Sequence, residues 1–176
     1  MSMFSHELVD DELVQDVLAR KNYTEFSVHG LQHWQKVERN GLYLAQKEGG
    51  DRHVISLFAL FHDSQRLNEF KDPDHGIRGA KLAEEFYDAG RLGINSEQFT
   101  LLTEACRDHT KVVFHDDVTI QCCWDGDRLD LRRVSIIPEA VFLNTEKAKH
   151  IAEAMDYSLL DGFTELVIYL LLEETL

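Results

Sequence analysis

The 176-residue sequence has few of the residues that shape linkers or cross-links, with two prolines, ten glycines and three cysteines. So few prolines and glycines leave no room for a long linker, and a 44% hydrophobic composition suffices for one domain, residues 1–176, around a single core. Cys122 and Cys123 are adjacent, and no Cys-x-x-Cys occurs. This pattern excludes a disulfide framework and a thiolate zinc site, and predicts reduced thiols in the core or near a site.

Basic residues are also scarce. The chain has 18 lysines and arginines against 32 aspartates and glutamates, which gives a formal net charge of −14 at pH 7. Such a charge repels phosphate backbones, so we expect no nucleic-acid partner. A small phosphorylated substrate is still compatible with this charge, because a metal and a few local arginines can reverse the field inside one pocket.

No run of apolar residues is long enough to cross a membrane. The longest late run, Leu166–Leu172, is far shorter than the ~20 residues that a transmembrane helix needs. The start, Met1–Asp11, is polar and acidic and does not resemble a signal peptide. We therefore expect a cytoplasmic protein without a membrane partner. An exposed apolar end at Val167–Leu172 could join two subunits into a homodimer.

Apolar residues recur at helical spacing along most of the chain, which predicts an all-α fold. The expected helices cover the ranges His6–Lys21, Gly30–Glu48, Arg52–Gln65, Gly76–Ala89, Ser96–His109, Val118–Leu131 and Asn144–Met155. Ser96 is expected to cap the fifth of them. Three further segments have other expected structures. Asn22–Val28 is expected to be turn-like and then β-prone, and Lys111–Val118 to be irregular. Phe163–Glu174 could be a helix or a strand. The pattern predicts one helical bundle.

The third of these helices is apolar on nearly all sides and ends abruptly in His62 and Asp63. The imidazole and the carboxylate need a partner, because burying an unpaired charge costs on the order of several kcal/mol. A metal ion is a suitable partner, since it binds an imidazole nitrogen and a carboxylate oxygen together. Further candidate ligands lie on either side of this pair, at His33, His75, His109 and Asp127.

The order of these residues resembles the HD-domain metal-dependent phosphohydrolase superfamily, which is named after its His-Asp pair. The resemblance covers about residues 26–131, and the residues that follow three of the ligands agree with it: Val37 after His33, Gly79-Ala80 after His75, and Arg128-Leu129 after Asp127. It implies a single-domain helical bundle of the HD type, with residues 144–176 as a C-terminal helical extension.

The resemblance also implies a metal site with one or two divalent ions. The ligands of the first ion would be His33, His62, Asp63 and Asp127, with Asp63 able to bridge to a second ion. Histidines at the positions of His75 and His109 hold the second ion in dinuclear members of the family, which favours a site for two. Histidine and carboxylate ligands suit manganese, iron, cobalt, nickel or zinc.

The implied activity is hydrolysis of a phosphate ester of a nucleotide or another small phosphorylated metabolite, by attack of hydroxide that the metal activates. The expected catalytic residues are His62, Asp63 and Arg66. Arg66 follows His62 by one helical turn, so we expect it to face the same side and to clamp the substrate phosphate.

Several polar residues near these ligands are weaker candidates for the site. Arg78 and Lys111 are further phosphate-binding candidates, and His115 could line the mouth of the site. Asp130 is expected on the surface of its helix, paired with Arg133.

Each candidate also has a purely structural interpretation. His62 and Asp63 could form a buried hydrogen-bonded pair. His75 could be a solvated loop residue, and His109 a histidine that the dipole favours at a helix C-terminus. His29 could orient a ligand or merely begin a helix.

Aromatic residues near the candidate ligands raise the same question. Such residues could stack on a nucleobase, but aromatic side chains at helical spacing more often belong to the core. The residues concerned are Trp34, Phe61, Phe114 and Trp124.

Two other functions use the same ligands. One is an oxidative enzyme with two irons that activates dioxygen, as in a few relatives of the HD family. The other is a regulatory domain that binds metal without catalysis. Iron content and oxygen dependence would identify the first, and full metal occupancy without turnover would identify the second.

Overall fold

The computed structural model describes residues 3–7, 9–21 and 27–161. Within these ranges the protein is all-α, as the sequence predicts, and no strand occurs. The α-helices are α1 (Asp11–Ala19), α2 (Leu31–Glu48), α3 (Arg52–Phe61), α4 (His75–Asp88), α5 (Ser96–Asp108), α6 (Val118–Leu129), α7 (Glu146–Ala154) and α8 (Ser158–Asp161). Two short 3₁₀ helices, Leu131–Val134 and Ala140–Phe142, connect α6 to α7.

Two of the expected segments fall on residues that these ranges leave out. The β-prone part of Asn22–Val28 overlaps the gap at 22–26, and Phe163–Glu174 lies wholly outside the described residues. The expected extension 144–176 is therefore described only as far as α8.

The first helix begins later than its apolar spacing predicts, at Asp11 rather than at His6. The Asp10 side chain accepts a hydrogen bond from the backbone N–H of Leu13, so it caps the helix at this point. Burial of Val9 before the helix shows why the apolar pattern alone extends too far.

Helix α3 forms the centre of the core and ends earlier than predicted, at Phe61 rather than at Gln65. Its last carbonyls accept hydrogen bonds from side chains: His62 Nδ1 lies 3.1 Å from the Phe58 and Ala59 oxygens, and Ser64 Oγ donates to the Phe61 oxygen at 2.8 Å. These side chains satisfy the helix end and let the chain turn. His62 therefore caps the helix and Asp63 lies in the turn that follows.

The boundaries of the later helices follow the prediction closely, with one change of cap. The N-cap of α5 is Asn95 and not Ser96, because Asn95 forms a capping box with Gln98. Helix α6 ends at Leu129, two residues early, and continues into a 3₁₀ helix. Thr145 caps α7 through its side-chain oxygen.

The core contains most of the aromatic residues that could have stacked on a base. Trp34, Phe61 and Trp124 are buried, whereas Phe114 is exposed. The three cysteines are buried and free, as predicted. Their burial raises the pKa of the thiols, which therefore stay protonated. None of the helices in the described ranges is both long enough and apolar enough to span a bilayer.

Two glycines let α4 approach its neighbours closely. A β-carbon at Gly79 would overlap the carbonyl oxygen of Phe61, and one at Gly76 would overlap the carbonyl oxygen of Cys106. Only a residue without a side chain fits at these contacts. The close packing brings His75, the first residue of α4, to the end of α3.

Candidate metal centre

Four histidines and two aspartates meet where α2, α3, α4, α5 and α6 converge. All six were expected as metal ligands from the sequence, and two groups of three have ligand atoms within 4.8 Å of one another: His33, His62 and Asp127, and Asp63, His75 and His109. Five of the six residues are buried, and Asp127 is partly exposed. The helical bundle thus brings together residues that are far apart in the chain.

The first group surrounds the Nε2 atoms of two histidines. His33 Nε2 lies 3.2 Å from His62 Nε2 and 3.3 Å from Asp127 Oδ1. Asp63 Oδ2 is also close, 3.6 Å from His33 Nε2 and 3.8 Å from His62 Nε2. Two imidazole nitrogens and two carboxylate oxygens therefore face a common point.

The second group lies on the other side of Asp63. Asp63 Oδ1 is 3.1 Å from His75 Nε2 and 3.7 Å from His109 Nε2, and these two nitrogens are 2.9 Å apart. One oxygen of Asp63 thus faces the first group and the other faces the second. This is the arrangement of a bridging carboxylate.

Each of the four histidines uses its other ring nitrogen, Nδ1, to bond away from the cluster. The acceptors are the carbonyl oxygens of Phe58 and Ala59 for His62, of Asp72 for His75 and of Cys106 for His109, and the Asp130 carboxylate for His33. A carbonyl oxygen only accepts, so Nδ1 must carry the proton. In a neutral ring Nε2 then presents a lone pair to the cluster, as a metal ligand does.

The carboxylates of Asp63 and Asp127 are ionised at the centre of the cluster, and their negative charge favours a bound cation. Burial opposes ionisation of Asp63, but its contacts with the surrounding histidines hold the pKa of its carboxyl well below the usual range. Asp127 behaves in the same way, with its pKa lowered against the effect of burial by its contact with His33. Burial lowers the pKa of His62 to about 3, so this ring is neutral and available as a ligand.

Asp130 supports the cluster in a position that differs from the one expected from the sequence. It is buried and not on the helix surface, and its Oδ2 lies 2.8 Å from His33 Nδ1. The expected neighbour Arg133 is present, with Nη1 3.6 Å from the same oxygen. The spacing from Asp127 to Asp130 is one helical turn, which is the signal that could have placed both carboxylates on one side.

His29 lies just before α2 and contacts the cluster from outside. Its Nδ1 is 2.8 Å from Asp63 Oδ2, and Arg133 Nη2 lies 3.2 Å from the same nitrogen. Of the two interpretations of His29, the geometry fits the residue that orients a ligand. Arg133 therefore connects two supporting residues, His29 beside Asp63 and Asp130 beside His33.

Arg66 also reaches the cluster, although α3 ends at Phe61 and Arg66 lies in the segment that follows it. Its Nη1 lies 3.4 Å from Asp63 Oδ1 and 3.3 Å from His75 Nε2. Its Nε and Nη2 donate to the carbonyl oxygens of Asn68 and Phe70. The guanidinium is therefore fixed between the loop and the second group of ligands.

The weaker phosphate candidates have other partners. Arg78 donates to Asp72 Oδ2 at 2.6 Å and to the Gln65 carbonyl at 3.0 Å, so it fixes the loop before α4. Lys111 Nζ lies 3.6 Å from an Asp74 oxygen.

His115 is outside the two ligand groups. Its Nδ1 accepts a hydrogen bond from the Asp117 backbone, and its Nε2 lies 3.5 Å from Glu104.

Large exposed apolar side chains lie mainly in the segments that adjoin the ligands. They are Val28 before His29, Leu67 and Phe70 after Asp63, Val112, Val113 and Phe114 after His109, and Ile136, Ile137, Val141 and Phe142 beyond Asp127. Arg128 ties two of these segments together beside Asp127, because it donates to the carbonyls of Val112, Val113 and Phe142.

The cluster could hold a metal ion, and its donor set fits a pair of ions that share Asp63. Bare imidazole nitrogens, ionised carboxylates and outward Nδ1 bonds are the features that such a site requires. A scan against protein-family models, a search of curated proteins and a search of solved structures each found no match for this chain.

Proposed function

We propose that this chain is a metal-dependent phosphohydrolase of the HD-domain type, with two divalent ions bound by the six clustered residues. The observation that carries the proposal is the bridging position of Asp63 between two pairs of histidine Nε2 atoms. A two-ion site of histidines and carboxylates is typical of enzymes that cleave phosphate esters. The order of the ligands along the chain supports the same family.

The first ion would be held by His33, His62, Asp63 and Asp127, and the second by Asp63, His75 and His109. When bound, such ions polarise the phosphoryl group and lower the pKa of water. Histidine and carboxylate ligands suit manganese, iron, cobalt, nickel or zinc.

The protein's own residues fix and shield this site. The outward Nδ1 bonds set the orientation of each histidine ring, and Asp130 and His29 hold His33 and Asp63 in place. The ligand side chains are at most 4% exposed except that of Asp127, which is 16% exposed. A substrate would therefore enter beside Asp127.

Arg66 is the basic group closest to the second set of ligands. Its Nε and Nη2 each donate to a loop carbonyl, so the guanidinium is held in one orientation with Nη1 toward Asp63. A guanidinium has five N–H groups, and those that remain could bind one oxygen of a phosphate. We propose that Arg66 both positions Asp63 and stabilises the substrate phosphate.

The exposed apolar residues around the site fit the organic part of a small phosphate ester. Phe114 and Phe142 lie in the segments beside Asp127 and are more than half exposed. Aromatic side chains in this position could pack on a nucleobase or another flat group. A nucleotide or another small phosphorylated metabolite is therefore the proposed substrate.

The test is to purify the full chain without chelator, measure its metals, and assay release of inorganic phosphate from nucleoside monophosphates and p-nitrophenyl phosphate. We expect about two ions per chain and turnover that is lost in the Asp63→Asn variant. Full metal occupancy without turnover of any ester would contradict an enzymatic role. Two irons with oxygen consumption would instead assign the site to the oxidative class.

A further inference from the structure

A cavity of about 320 Å³ lies outside the metal centre, between α2, the Leu131–Val134 3₁₀ helix and α8. Its lining includes Lys36, Arg39, Arg132 and Arg133, together with Asp130 and Tyr157. Four basic side chains thus border one cavity in a chain that has 18 basic residues and a net charge of −14. Asp130 is the one acidic residue among the described residues that line it.

Two of the arginines that line this cavity, Arg132 and Arg133, are oriented by neutral groups. The Arg132 guanidinium lies 4.2 Å from the centre of the Tyr157 ring, and none of the ion pairs of the described residues includes Arg132. Arg133 Nε donates to the Val28 carbonyl at 2.9 Å, and its Nη1 donates to the Asp130 carbonyl at 3.2 Å. Such contacts orient a guanidinium without neutralising its charge. Arg133 Nη1 also lies 3.6 Å from Asp130 Oδ2, so this carboxylate balances part of its charge.

The Lys36 ammonium group is only loosely paired. Lys36 Nζ lies 3.7 Å from Asp130 Oδ1, beyond hydrogen-bond distance, and its side chain is about half exposed. The Asp130 carboxylate itself is bound to His33. Lys36, Arg133 and His33 thus share one carboxylate, and Arg132 has no ion pair among the described residues. These basic groups carry more positive charge than Asp130 balances, and such a site attracts anions.

The cavity lies behind the metal centre and not within it. An adjoining cavity of about 210 Å³ shares Lys36, Asp130 and Arg133 with it and extends to the ring of His33. His33 bonds to Asp130 through Nδ1 and faces the ligand cluster with Nε2, on the opposite edge of the ring. A molecule that extended into the adjoining cavity would thus contact the outer side of His33 and would not touch the ions.

We propose that this cavity is a second anion site, which binds the phosphate group of a small phosphorylated molecule. Its volume is at the lower end of that of small-molecule pockets. The guanidinium groups of Arg132 and Arg133 and the ammonium group of Lys36 provide the forked and point-charge contacts that phosphate oxygens prefer. The proposal does not depend on the reaction at the metal centre.

The test is calorimetric titration of the full, metal-loaded chain with inorganic phosphate. Arg132 is exposed and its loss should not disturb the core, so we expect Arg132→Gln to weaken phosphate binding at this site at least tenfold. Arg107→Gln is the matched control, because Arg107 is an exposed arginine on α5 whose partners are Glu104 and Asp108. Equal phosphate binding in wild type and in Arg132→Gln would overturn the proposal.

Phosphate could also bind at the metal ions, and a second variant separates the two sites. In His62→Ala we expect the first ion to be lost while phosphate binding that depends on Arg132 persists. If His62→Ala abolishes all phosphate binding, the metal centre is the binding site and the proposed cavity site is wrong. Far-UV circular dichroism of each variant checks that the helical fold is intact.

Discussion

The Nε2 atoms of His75 and His109 lie 2.9 Å apart in the core. Each ring donates its Nδ1 proton to a backbone carbonyl, so both Nε2 atoms are left to face the cluster. A cation bound here would take both nitrogens as ligands. Asp63 Oδ1 completes the set of donors around that position.

The His109→Ala variant should bind one ion fewer per chain than the wild-type protein. The variant loses one of three ligands of the second ion but none of the first, so metal content should fall from about two ions per chain to one. Elemental analysis after purification without chelator measures the change. His115→Ala is the control, since His115 lies outside both groups, and equal metal content in wild type and His109→Ala would exclude His109 as a ligand.

Asp63→Asn should have a larger effect than any single histidine substitution. Asn is nearly isosteric but carries no charge, so the change removes the bridging anion from both groups at once. We expect neither ion to remain at stoichiometric level. Asp127→Asn is the matched comparison: it should remove the first ion and leave the second. Stoichiometric metal in the Asp63 variant would rule out the bridging role.

Asp130→Asn tests a residue that touches no ion. Its carboxylate bonds to His33 Nδ1, and loss of such a supporting partner typically weakens metal binding about 10- to 100-fold. Competition with a chelating dye measures the affinity. Asp116→Asn, at an exposed position in the loop before α6, is the control and should bind metal normally. Unchanged affinity in Asp130→Asn would mean that His33 needs no support from this side.

The clustered histidines and aspartates could be predicted as candidate ligands because metal ligands must be particular residue types, and their order along the chain resembles that of a known family. His62 and Asp63 follow an apolar run that could only be a buried helix. The end of that helix could not be predicted, since it depends on hydrogen bonds from His62 and Ser64 to the helix carbonyls. The predicted contact of Arg66 with the site arises through a loop and not through a helical turn.

Supporting residues were harder to predict, because their roles depend on contacts distant in sequence. Asp130 was expected at the surface, yet it meets His33, which is 97 residues away. Gly76 gives no sequence signal of its own, although its missing side chain is what allows α4 to reach α5. The choice of Asn95 over Ser96 as the α5 cap depends on Gln98 completing the capping box.

Gly76→Ala should disturb the second ion site from outside. The added methyl group would overlap the Cys106 carbonyl oxygen and lie 3.1 Å from ring atoms of His109, so α4 and α5 must move apart. Overpacking of this kind typically costs about 1–3 kcal/mol. We expect a lower Tm together with reduced occupancy of the second ion. Lys81→Ala, at an exposed position on α4, is the control. Normal occupancy in Gly76→Ala would show that this contact does not position the ligands.

Metal removal should destabilise the whole protein, because the ligands come from five helices or their ends and bind together only in the folded state. An ion at 100 times its Kd stabilises the native state by about 2.7 kcal/mol. We expect excess chelator to lower the Tm of the wild-type protein, and added manganese or zinc to restore it. Differential scanning calorimetry measures both. In Asp63→Asn, which should hold no ion, chelator should leave the Tm unchanged. A chelator effect of equal size in that variant would show that the stabilising ion binds elsewhere.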